Sequence, residues 1–181
     1  MKILVLGIGN VLFGDEGIGV HLTNFLDDKY NFSSDKHTVS LLDGGTLAHN
    51  LMPIITAYDK VILIDCVNVK DGDIGDVYSF DFNDTPSCIT WQGSAHEVEM
   101  LQTLQMIDML GELPPVTIVG VIPYVIGVDT TFSISREVLK ACVSMESLII
   151  KHIKELGVKV DVKNERLDLQ TLAKTSYSRG R

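Results

Sequence analysis

Cationic side chains are scarce in this sequence: 15 Lys and Arg stand against 24 Asp and Glu, a formal net charge of −9. General affinity for nucleic acid or an anionic membrane surface needs clustered Lys and Arg, so neither is expected, although a basic protein partner remains compatible. Cysteine is also sparse. Cys66, Cys88 and Cys142 are scattered, odd in number and without CxxC spacing. They indicate neither a disulfide framework nor a thiolate zinc site, and a reduced, cytoplasmic setting fits best. The short apolar run after Lys2 is broken by Gly7, Gly9 and Asn10 with no small-residue cleavage site beyond, so it reads as a first strand and not as a signal or a membrane span. Familiar catalytic signatures are missing as well. There is no HExxH, no GxSxG elbow and no P-loop lysine, and GIGN at 7–10 lacks the third glycine of the dinucleotide fingerprint. Repeats, low-complexity tracts and interdomain linkers are absent from the sequence too.

The 181 residues, 45% hydrophobic and 22% charged, suit one soluble domain that needs no staple. A chain of this length buries roughly 70% of its extended surface on folding. The organising stretch is 2–20, KILVLGIGNVLFGDEGIGV. Ile3, Leu4, Val5 and Leu6 suit a strand buried on both faces. Gly7 and Gly9 then permit a sharp turn, and Asp15 and Glu16 are placed to cap a helix and fill its first turn.

Residues 16–29 have near-helical apolar spacing, and 38–42 reads as a second strand. DGGT at 43–46 repeats the opening arrangement, with Thr46 as a candidate cap for a short helix over 47–57. KVILIDC at 60–66 is a third apolar strand ending in Asp65. Residues 72–82 alternate around Val77, Tyr78 and Phe80, and 83–91 look irregular. Ser94 and Glu97 form a capping box for a helix to about Leu110. VTIVGVI at 116–122 is the last apolar strand, and Ser135 caps a long helix that Gly157 stops. Alternating strands and helices predict a three-layer α/β domain over 1–157, a mostly parallel, twisted sheet with helices on both faces. The remainder, 158–181, is weakly periodic and basic towards its end, and reads as a loosely held tail.

In such a sheet, ligands bind outside the carboxyl ends of the strands, where strand order reverses. Glu16, Asp43 and Asp65 follow strands one, two and three, and His96 starts the helix opened by Ser94. An imidazole with two carboxylates makes a borderline metal site with open positions, better matched to nickel or zinc than to calcium. Each residue also has an ordinary reading: Asp65 as a turn or cap residue, His96 as a surface or capping histidine, and Asp43 as an Asx turn into Gly44 and Gly45. Cys66 should point away from Asp65's face into the core, and His21, His37, His49 and His152 have no evident partners.

Five separated segments, GIGNVLFGDEGIGV at 7–20, DGGT at 43–46, ILIDC at 62–66, SAHEVEMLQTLQMIDMLGELP at 94–114 and IVGVIP at 118–123, together resemble the nickel-iron hydrogenase maturation endopeptidases over 2–157. The resemblance implies an α/β endopeptidase that removes a C-terminal extension from the hydrogenase large-subunit precursor. It implies Glu16, Asp65 and His96 as metal ligands. The implied metal is nickel supplied by the precursor, with zinc or cadmium as a surrogate. Asp43 carries over as a site residue of undecided role. Beside a cation and partly desolvated, a carboxylate can be tuned in either direction, which leaves Glu16 or Asp43 as the group that assists proton transfer. The sequence departs from the family pattern at Ile74-Gly75, where Pro-Gly is common, and in the tail. Rival readings are a non-proteolytic nickel-binding maturation chaperone and a flavodoxin-like nucleotide-binding module.

Overall fold

A computed structural model describes residues 1–90, 95–124 and 130–175, with the side chains at 90 and 95–97 outside the description. Its strands are β1 (Lys2–Gly7), β2 (Tyr30–Ser33), β3 (Thr38–Asp43), β4 (Lys60–Cys66), β5 (Asn68–Val69), β6 (Val77–Asp81), β7 (Ile89–Thr90), β8 (Val116–Val121) and β9 (Lys159–Val162). The helices are α1 (Ile18–Lys29), α2 (Met52–Ile55), α3 (Ala95–Met109), α4 (Arg136–Glu155) and α5 (Leu169–Ala173). The main sheet has the order β3-β1-β4-β8-β6, parallel except for β6. This is the expected three-layer α/β arrangement.

The continuous apolar runs are continuous because both faces of the sheet are covered. Ile3, Val5, Ile62, Ile64 and Val119 pack with α1, α4 and α5, while Leu4, Leu6, Val61, Leu63 and Ile118 pack with α2 and α3. α4 starts at the predicted cap: the Val138 N–H donates to Ser135 Oγ at 3.3 Å. Its predicted stop also appears, with Gly157 at φ 81°.

The structure departs from the sequence reading in several places. Asp15 does not cap a helix. It and Glu16 lie in a 3-10 turn, Gly14–Gly17, ahead of α1, whose own N-cap is Gly17 without a side-chain bond. The helix expected over 47–57 is a 3-10 turn, Ala48–Leu51, with N-cap Leu47 and not Thr46, followed by the four-residue α2. Within 83–91, Ile89–Thr90 forms a small ladder with Asn68–Val69. The segment after Gly157 is also not loose as far as Thr175. β9 pairs antiparallel with β2, and α5 buries Leu169, Leu172 and Ala173 against the α1 and α4 side of the core. Two short elements with half-exposed or five-residue patterns carry too little periodicity to be read from sequence. The Ser94 capping box lies outside the described residues.

Candidate active site

Strand order reverses between β1 and β4. β1 connects through α1 to β3 on one side, and the chain then crosses to β4 on the other. The carboxyl ends of these two strands border the crevice where ligands bind in doubly wound sheets. Two glycines let the surrounding elements close on it. Gly9 (φ 146°) runs against the Glu16 carbonyl, and Gly19 against the Ile8 and Ile64 carbonyls, at distances a Cβ could not share. The start of α1 therefore rests directly on the strand ends.

Glu16 enters from the β1 side, 5% exposed, and Asp65 from the end of β4, 2% exposed. The two segments touch: the Cys66 thiol donates to the Asp15 carbonyl at 3.3 Å, and the Cys66 N–H donates to Asp65 Oδ1 at 2.7 Å. Cys66 belongs to the cluster shared with α1 and α4, as the sequence suggested, whereas Leu63 and Val67 belong to the α2 and α3 cluster. Alternation along the strand puts Asp65 on the α3 face. α3 runs back towards the start of β8, so its first turn, with His96 in the backbone, lies at the same edge. The His96 side chain lies outside the described residues. Among the described residues no three His, Cys, Asp or Glu side chains come together as a metal-binding group.

Asp43 is placed differently. It is exposed at the end of β3, in register with Gly7, and accepts the Gly45 N–H at 2.9 Å in an Asx turn. β1 lies between it and β4, so its Cα is roughly 10 Å from that of Asp65. Asp15, which the sequence offered only as a helix cap, has a different role. Asp15, 4% exposed, accepts the Tyr124 N–H at 3.0 Å and the Ser135 N–H at 2.6 Å. Its two oxygens thus tie the segment after β8 and the start of α4 to the turn that carries Glu16. A buried carboxylate is tolerable there because both partners are amide donors and one stands at a helix N-terminus, where negative charge is favoured. The DE pair was the visible signal, but not the partners 109 and 120 residues away.

Thiol chemistry has little support at this edge. Burial pushes the Cys142 thiol up to about 12, and Cys66 is buried with its hydrogen directed at a carbonyl. What the edge offers is buried acid: a place for a cation, or for a proton taken from water.

By fold and site, then, this is a doubly wound α/β protein with carboxylates gathered at its switch point. A profile of the hydrogenase maturation proteases matches residues 20–152, and the chain belongs to that family. It is 54% identical over 153 residues to protein HydD of Wolinella succinogenes, covering 84% of this chain and 93% of that one. It is 34% identical over 124 residues to the hydrogenase 2 maturation protease of Escherichia coli, covering 68% and 74%. The hydrogenase maturating endopeptidase HybD from E. coli has the same fold, with a TM-score of 0.78 at 28% identity over 90% of this chain and 98% of that one. Among the described residues no helix is long and apolar enough to cross a membrane.

Proposed function

We propose that this protease is an endopeptidase of the cytoplasm that removes the C-terminal extension from the large-subunit precursor of a nickel-iron hydrogenase. It recognises the precursor through the nickel already bound there. The observation that carries this reading is that Glu16 and Asp65 are buried on adjoining segments at the switch point, the place where a doubly wound sheet takes up its ligands. Family membership supplies the proteolytic half of the reading.

Glu16, Asp65 and His96 receive the nickel-bearing segment of the precursor, and two carboxylates with an imidazole suit that ion. The nickel, part of the substrate, contributes positive charge beside the scissile carbonyl. The chain's own residues do the rest. Asp65 is fixed by the Cys66 amide, Glu16 is fixed in its turn by the bonds Asp15 makes, and the buried edge excludes bulk water. Glu16 is assigned the proton taken from the attacking water, because it is buried at the crevice. Asp43, exposed and a strand further out, is assigned to contact with the arriving precursor.

The test is to incubate purified protein with nickel-loaded and nickel-free precursor and to weigh the precursor by mass spectrometry. Shortening of the loaded form alone is expected. Shortening of both would remove nickel from the recognition step. A stable complex with neither form shortened would favour the chaperone.

A further inference from the structure

Leu12, Leu47 and Tyr124 are 41%, 64% and 62% exposed, and each stands on a loop at the carboxyl edge of the sheet. All three stand on pinned backbone. Leu12 donates its N–H to Asn10 Oδ1 at 3.1 Å and accepts the Thr131 N–H at 2.8 Å. Leu47 accepts the Asn50 N–H at 3.1 Å, and Tyr124 donates to Asp15. The loops are also stitched to one another: the Gly9 N–H donates to the Gly45 carbonyl at 3.0 Å.

Sheet order gives the strand that each of the three follows. Leu47 follows β3, Leu12 follows β1, Asp65 ends β4 and Tyr124 follows β8. The apolar positions therefore lie on both sides of the acids. From β3 to β8 is three strand spacings, roughly 14 Å, the length of about four residues of extended polypeptide. Surfaces pre-organised in this way bind without losing side-chain or loop freedom at the moment of contact.

We propose that Leu12, Leu47 and Tyr124 form a collar that grips an extended segment of the precursor across the strand ends. The segment has apolar side chains at both ends, and its scissile bond lies over Glu16 and Asp65. This rests on the proteolytic reading above and adds the residues that select the cleaved sequence. Exposed apolar side chains elsewhere provide an internal control. Met109 and Leu110, 86% and 67% exposed, lie at the far end of α3, towards the opposite edge of the sheet.

The experiment measures kcat and KM for nickel-loaded precursor with wild type, Leu12→Ser, Leu47→Ser, Tyr124→Ser and the double variant Met109→Ser/Leu110→Ser, after thermal melts confirm that each is folded. Each collar variant is expected to raise KM by about fivefold or more with kcat within about twofold, and the double variant to match wild type. Wild-type KM in both Leu47→Ser and Tyr124→Ser would overturn the collar while leaving the protease intact. So would an equal rise in the double variant. A wild-type protein that leaves the precursor uncut would overturn the proteolytic reading itself, and the collar with it.

Discussion

The two edges of the central sheet treat their acids in opposite ways. At the amino edge of β4 and β8, Lys60 Nζ donates to Thr117 Oγ1 at 2.6 Å, Thr117 Oγ1 donates to Asp81 Oδ1 at 2.8 Å, and Lys60 and Asp81 form a 3.8 Å ion pair. Asp81 is mostly in solvent and has a cation beside it. At the carboxyl edge Asp15, Glu16 and Asp65 are all buried, and Asp15 and Asp65 accept hydrogen bonds from backbone amides. One edge pairs its acid with a cation, and the other gathers its acids where a doubly wound sheet takes up ligands.

That contrast is broken most directly at its centre. Asp65→Ala is expected to lower precursor cleavage by at least about 100-fold while the protein stays folded, at a stability cost of about 1–3 kcal/mol for the Cys66 amide that loses its acceptor. Cleavage assays with a parallel thermal melt decide it, and near-wild-type cleavage would mean that the carboxyl edge is structural after all. Asp15 stands next in size and moves the other observable. Asp15→Ala leaves the partly buried Tyr124 and Ser135 amides without their acceptor, each at the lower end of about 1–3 kcal/mol, so a stability loss of roughly 2 kcal/mol or more is expected in denaturant unfolding. A loss below about 1 kcal/mol would show that water replaces the carboxylate easily.

His21 sharpens the comparison through pH. Its imidazole is fully buried beneath the turn that carries Glu16: a Cβ at Gly17 would lie 2.8 Å from His21 Nε2. Burial pushes it down to about 4. A histidine depressed in the folded state takes up its proton first in the unfolded chain. Its contribution is therefore complete above the unfolded value of 6.5 and is lost as pH falls towards 4. Between about pH 7 and pH 5 this amounts to roughly 2 kcal/mol. Unfolding free energies at the two pH values should differ by about that much in wild type and by clearly less in His21→Asn. An equal difference in both would assign the acid sensitivity to other groups.

The sheet was readable because β1, β4 and β8 are buried on both faces and so are written mostly in Ile, Leu and Val. The acids were readable because Asp65 terminates such a run and Glu16 follows such a glycine turn. Asp43 left two readings open in the sequence, and its bond to the Gly45 amide makes the Asx turn real. What escaped is long-range. Nothing near Asp15 in sequence indicates Tyr124 or Ser135, and a capping role is the natural local guess for an acid before a helix. β2 and β9 are short strands whose pairing depends on partners 126 to 132 residues apart, such as Ser33 with Lys159 and Tyr30 with Val162. Local pattern fixes elements, but the contacts that close an α/β edge are made between loops, where pattern is weakest.

The smallest effect is expected where neutralisation is already complete. Lys60→Met retains the aliphatic stem of a side chain that is 18% exposed and removes only its charge and its bond to Thr117. Thr117 still donates to Asp81, and Asp81 at 61% exposure keeps its hydration, so no buried group is left without a partner. Partly exposed ion pairs contribute about 0–1 kcal/mol, and the expected loss in denaturant unfolding is therefore under about 1 kcal/mol, with precursor cleavage unchanged. A loss of several kcal/mol would mean that Lys60 neutralises more than Asp81. A fall in cleavage would mean that charge at the amino edge is felt across the sheet, and the division between a neutralised edge and a receptive one would no longer hold.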